Sequence, residues 1–144
     1  MAESSDIYTR EKRSELMARV HSKNTKPELQ VRSGLHRQGF RFRLHRKDLP
    51  GCPDIILPKY RTLIFIHGCF WHQHPGCKKA TIPKNNHDFW LAKLSENAER
   101  DKRHISKLQE LGWKVIIVWE CNIKKDLDYV INFIVSEINT PSYN

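Results

Sequence analysis

The segment from Leu63 to Cys77, Leu-Ile-Phe-Ile-His-Gly-Cys-Phe-Trp-His-Gln-His-Pro-Gly-Cys, holds three of the chain's eight histidines and two of its four cysteines. It also holds an adjacent pair of large aromatics. A packed core has no need of that combination, and thiols and imidazoles at such density point to metal ligation. Cys69, His74 and Cys77 place three soft ligands in one short loop, and a fourth has to come from elsewhere. Cys121, just past an apolar strand, and Cys52, ahead of Asp54, both qualify, with His72 a further choice. Three thiolates and one imidazole make a closed structural Zn²⁺ site. The competing reading is a buried thiol beside solvated histidines.

Asp54 follows Pro53 and opens a hairpin whose far end is His67. A connection turning around Lys59 to Arg61 would set Asp54 beside Ile66 and His67. One carboxylate, the main-chain carbonyl of Ile66 and an imidazole would then converge at a sheet edge. Such oxygen ligands suit Mg²⁺, which completes its shell with water and substrate phosphate. The blander reading has Asp54 capping a turn. Asp101 falls on the apolar stripe of Trp90, Leu94, Ala98, Ile105 and Leu108, where an unpaired carboxylate is costly. It either pairs with an arginine in the Glu99–Arg103 run or orients a histidine and fixes its tautomer. Phe70 and Trp71, joined by Trp90, are either packing around the loop or an apolar wedge able to enter a base step. Glu28 stands at the third position of a helix capped by Thr25, a capping box that gives it a structural job already.

The elements that must position these groups follow from periodicity. Residues 1–8 are polar and arm-like, and Thr9–Val20 reads as a short basic helix. A second helix starts at Thr25, carries Leu29, Arg32 and Leu35 on one side and stops near Gly39. Phe40–Leu44 alternates apolar and basic, as a half-buried strand does. Asp54–Leu57 and Thr62–Ile66 are strands joined by a tight connection at Pro58–Arg61. A long helix begins with Asn86 or Asp88 as its cap and ends at Gly112. Trp113–Trp119 is apolar enough to be a central strand, and Asp126 opens an amphipathic helix carrying Leu127, Val130, Ile131, Ile134 and Ile138. The order predicts an α/β (α+β) fold, a mixed sheet flanked by helices, within one domain spanning residues 1–144.

The balance of 25 Lys plus Arg against 16 Asp plus Glu, a formal charge of +9, calls for a polyanionic partner such as nucleic acid. No apolar run approaches the ~20 residues that span a bilayer, so no membrane partner is expected. The N-terminus has no secretory h-region, which with unpaired cysteines suggests a cytoplasmic protein, nucleoid-associated when bound to DNA.

Four motifs carry a family resemblance: Leu49-Pro-Gly-Cys-Pro-Asp54, Ile64-Phe-Ile-His-Gly-Cys-Phe-Trp-His72, Glu99-Arg-Asp101, and Leu108-Gln-Glu-Leu-Gly-Trp-Lys-Val-Ile-Ile-Val-Trp-Glu-Cys121. Over roughly residues 9–121 the chain resembles the very-short-patch repair endonucleases, the Vsr type. The resemblance implies a restriction-endonuclease-like fold with a structural zinc. It also implies Mg²⁺-dependent nicking of double-stranded DNA on the 5′ side of the thymine in a T:G mismatch, by a monomer. Matched position by position, Asp54 resembles the metal-binding aspartate, with Ile66 offering its carbonyl, and His67 and His72 the active-site histidines. Asp101 resembles the aspartate that supports a histidine, and Glu28 a helix glutamate near the active centre. Cys69, His74, Cys77 and Cys121 match the zinc ligands, and Phe70, Trp71 and Trp90 the aromatics beside the mismatch. Three positions depart from the family pattern. Ile66 replaces a threonine, Cys52 replaces an arginine, and the stretch from His74 to Cys77 is one residue longer. The rival readings are a nuclease of the same fold with another DNA target and a non-catalytic zinc-containing DNA-binding module.

Overall fold

The computed structural model describes residues 25–140, so the expected arm and helix before Thr25 lie outside the described residues. Helix α1 spans Lys26–Arg37, with Thr25 Oγ1 accepting from the Glu28 amide at 3.4 Å and Pro27 in the first turn. Its buried side is Pro27, Glu28, Val31 and Leu35, whereas Leu29 is 47% exposed. The expected face was thus rotated. The inward stripe runs through a carboxylate, which a hydrophobic count passes over. Gly34 lies on that face because a Cβ there would meet Ile131 Cδ1 at 2.5 Å.

Strand β1 is only Arg43–Leu44, and Phe40 and Phe42 pack on the core without a ladder of their own. Strands β2 (Ile55–Leu57) and β3 (Thr62–His67) form the expected antiparallel hairpin through a 3₁₀ turn at Pro58–Tyr60. Leu57 faces Thr62 and Ile55 faces Ile64, a tighter register than the one expected to set Asp54 across from His67. The reason is the turn, which closes within Pro58–Arg61 with Arg61 in a left-handed conformation at φ 50°.

Helix α2 runs Asn86-capped from His87 to Glu110, although Asn86 itself is left-handed and makes no side-chain cap bond. Strand β4 (Lys114–Trp119) pairs in parallel with β3, and the sheet order β1-β2-β3-β4 puts β4 at an edge among the described residues. The expectation of a central strand was wrong for a physical reason. Ile116 and Val118 pack with Val31, Leu35, Ile131 and Ile134 on one face, while Val115 and Ile117 pack with Leu108 and Trp113 on the other. Apolarity in β4 records two covered faces, not two neighbouring strands. A short helix α3 (Glu120–Lys125), not anticipated, precedes α4 (Leu127–Asn139), which Asp126 caps through the Tyr129 amide. The sheet is thus a middle layer, with α1, α3 and α4 on one side and α2 on the other. No helix of the described residues is long and apolar enough to cross a membrane.

Candidate active site

Alternation along β3 sends Leu63, Phe65 and His67 toward α2 and ends the strand at His67, where the chain breaks into the loop leading to α2. The loop folds back so that the His72 ring stacks on His67, centroids 3.8 Å apart and nearly parallel at 6°. His72 Nδ1 pairs with Asp101 Oδ2 at 2.6 Å, which decides between the two readings of Asp101 in favour of the histidine. With Nδ1 held by Asp101, Nε2 is the other ring nitrogen of His72. Asp54, just before β2, accepts a hydrogen bond from the Ile66 amide at 2.7 Å. The contact runs through the Ile66 N–H, while the expected role was for its carbonyl.

These groups line a cleft of about 300 Å³ formed by Asp54, Phe65, Ile66, His67, His72, Asp101 and His104. His104 was missed by sequence reading, although it falls one helical turn past Asp101, on the same side of α2. Its ring fills the space over Gly51, where an added Cβ would lie 3.1 Å from it. Gly51 is further confined to glycine by its φ of 77°.

Burial sets the electrostatics of the cleft. It pushes the Asp54 carboxyl up to about 7, against the opposing pull of the Ile66 amide. Burial pulls His67 down to about 3, helped by neighbouring His72, so it stands as a neutral imidazole at ordinary pH. Its Nδ1 is buried with no hydrogen-bond partner among the described residues. Burial pushes Asp101 up, but the His72 hydrogen bond and charge prevail and hold it below the usual carboxylate range. Glu28 is 1% exposed, pairs with Arg32 on its own helix, and meets His45 Nε2 at 2.9 Å. The polar atoms of Glu28, His45 and Asp54 lie within 4.8 Å of one another, so the structure brings Glu28 beside Asp54.

A second cluster sits on the other flank of the loop. Donor atoms of Cys69, His74, Cys77 and Cys121 all lie within 4.8 Å of one another. Cys69 Sγ and Cys121 Sγ are 3.7 and 3.4 Å from His74 Nδ1. Two ligands of a tetrahedral ion with ordinary Zn–S and Zn–N bonds stand about 3.6 Å apart, so the residues fit such an ion. Cys121 arrives on the first turn of α3, and His74 is stacked on Trp119 at 4.2 Å. Cys52 is exposed in the cleft wall and takes no part in this group, which removes it as the fourth ligand. His72 and His74, indistinguishable by spacing, are separated by geometry: one faces Asp101, the other the thiols. We predict that His74→Ala loses bound zinc while His72→Ala keeps one equivalent, as measured by elemental analysis of the purified proteins. Equal zinc in both would contradict the assignment.

Between the two clusters, Phe70, Trp71 and Trp90 meet edge to face at 5.1 to 5.9 Å. All three are only partly buried, and Phe89, 54% exposed, extends the group outward. They form an aromatic ridge that belongs to neither core cluster.

The sequence model for DNA mismatch endonuclease Vsr matches residues 5–79. The chain belongs to the Vsr family. The family is restriction-endonuclease-like, in keeping with the mixed four-stranded sheet and flanking helices. Among its relatives, the type II nicking enzyme V.NmeAIP of Neisseria meningitidis is 54% identical over 119 residues, 83% of this chain and 84% of that one. The type II nicking enzyme V.XorIIP of Xanthomonas oryzae pv. oryzae is 51% identical over 82% of this chain and 86% of its own. The DNA mismatch endonuclease Vsr of Escherichia coli is 44% identical over 83% of this chain and 76% of its own. The Vsr family match covers Glu28, Asp54 and the whole loop from Cys69 through Cys77, and leaves α2 and β4 outside it.

Proposed function

We propose that this Vsr-family endonuclease nicks one strand of double-stranded DNA 5′ of the thymine in a T:G mismatch, by Mg²⁺-dependent hydrolysis. The observation that carries the reading is the convergence in one cleft of Asp54 with a stacked His67–His72 pair whose outer member is held by Asp101. Asp54, with the carbonyl of Ile66 and with Glu28 nearby, would hold the divalent ion, which supplies charge neutralisation at the scissile phosphate. His72, with Nδ1 fixed by Asp101, takes the proton of the attacking water through Nε2. The water oxygen bonds to phosphorus as the bond to the bridging oxygen breaks. That oxygen leaves as an alkoxide that takes its proton from solvent water, while His72 returns the proton it took to solvent. His67, neutral and stacked beneath His72, fixes the tilt of that ring and keeps a cation out of the buried position. Cys69, His74, Cys77 and Cys121 would hold Zn²⁺ as scaffold, and Phe70, Trp71 and Trp90 would enter the duplex beside the mispair. The formal charge of +9 supports a DNA partner, and one chain supplies every group named here, in keeping with a monomer.

Matched duplexes carrying T:G or T:A at one position, incubated with Mg²⁺ or EDTA, test this reading. One nick in the T:G duplex, with Mg²⁺ only, is the expected product. Equal cutting of both duplexes would remove the mismatch specificity, and no cutting of either would remove the nuclease. A panel of other mispairs and flanking sequences separates a same-fold nuclease with another target. Trp71→Ala is expected to raise the half-saturating T:G duplex concentration by about tenfold or more, since unstacking a base step costs a few kcal/mol. An unchanged value in a binding titration would remove Trp71 from the wedge.

A further inference from the structure

His45 follows directly on β1, and nothing in its local sequence marks it out. Its backbone is left-handed, φ 48°, a region that residues other than glycine enter rarely and that asparagine, aspartate and histidine tolerate best. The turn has two effects. The His45 amide donates to the Asp54 carbonyl at 3.3 Å, which ties the strand end to the residue we place at the cation. The ring meanwhile points inward and places Nε2 2.9 Å from Glu28 Oε2.

Glu28 is a carboxylate on a buried face, its side chain 2% exposed. It and Asp54 lie close enough for their oxygens to share one ion. Two buried carboxylates at this range repel, and each has to be held where the other needs it. Arg32, one turn along α1, draws Glu28 along its own helix. His45 reaches it from outside α1, from the same backbone that pins Asp54. In the arrangement inferred below, the Nε2–H of His45 donates and Glu28 Oε2 accepts.

We infer that His45 is a positioning residue of the cation site, aiming Glu28 beside Asp54 so that both carboxylates face one divalent ion. The inference rests on the reading of Asp54 as a cation ligand. It assigns His45 no contact with DNA and no proton transfer. It also explains why a strained backbone is kept at a position where glycine would be easier: the ring is needed, and the left-handed turn is what delivers it.

The test is Mn²⁺ binding by the zinc-loaded full chain, followed by electron paramagnetic resonance of the free ion, without DNA. His45→Gly suits the local φ, so it should melt no lower than the parent. We expect it to bind Mn²⁺ about 10- to 100-fold more weakly, the usual effect of removing a group that orients a ligand. His45→Gln sets an amide N–H near the position of Nε2 and should stay within about threefold of the parent. His45→Asn, whose amide lies at the level of Nδ1, should resemble His45→Gly. Parent-like Mn²⁺ affinity in His45→Gly would overturn the inference, as would a His45→Gln no better than His45→Gly. Asp54→Ala separates the two levels of the argument. If it too binds Mn²⁺ as the parent does, the cation reading of Asp54 fails, whatever His45 shows.

Discussion

Asp54→Ala is expected to lower nicking of a T:G duplex by at least about 10³-fold, since a lost metal ligand forfeits several kcal/mol of transition-state stabilisation. DNA binding by the zinc-loaded variant without added Mg²⁺ should persist, because the aromatic ridge and the basic surface are untouched. A variant that still nicks within about tenfold of the parent would take Asp54 out of the chemistry. The same residue carries a stability cost of the opposite sign. Its folded pKa is raised to about 7, above the unfolded carboxylate range. Between roughly pH 4 and pH 7 the folded state therefore keeps a proton that the unfolded chain releases, and stability falls as pH rises. Above pH 7 the full cost is about 4 kcal/mol in the protein with no cation at Asp54. Asp54→Asn should accordingly raise the melting temperature of zinc-loaded protein without Mg²⁺ at pH 8, by an amount that shrinks toward zero near pH 4. His67 acts in the reverse direction. Its pKa is depressed to about 3, so acidification below roughly pH 6.5 destabilises the fold. The parent's stability profile should then be flatter than that of Asp54→Asn. A variant that is destabilised at pH 8 would refute the burial account of Asp54.

The second large effect concerns the thiol cluster. Cys121→Ser, or chelation under reducing conditions, is expected to cost more than ~5 kcal/mol, because binding energy at a structural zinc is folding energy. Cys121 stands far in sequence from Cys69, His74 and Cys77, so its loss frees the loop from β4 and α3 at once. Nicking and mismatch binding should fall together, since the ridge and His72 share that loop. Cys52→Ser is the control, with zinc content and melting unchanged. A Cys121→Ser protein with a full zinc equivalent and parent-like melting would sink the assignment.

What could be read from the chain alone was what lies close in sequence. The hairpin, the long helix, the last amphipathic helix and the three ligands of one loop all follow from local spacing. What could not be read depends on how distant segments meet. The hairpin register was set by the 3₁₀ turn and its left-handed Arg61, which no count of apolar positions reveals. Leu29 was taken for a core residue because the true inward face of α1 carries Glu28. His45 reaches Glu28 from just past β1 with no neighbour in sequence that hints at it, and His104 reaches the cleft from α2 with only its spacing from Asp101 as a signal. His72 and His74 differ only in what faces them, Asp101 for one and Cys69 and Cys121 for the other.

Trp119 draws these strands together. The last residue of β4, it lies flat against His74 at 4.2 Å and meets His67 edge-on at 5.1 Å. One indole therefore touches both the scaffold ligand and the buried member of the histidine pair. Its emission should register occupancy of the thiol site without any added label. The same contact means that wear at the scaffold, such as oxidation of a cysteine, would be felt by the hydrolytic cleft before the fold itself gives way.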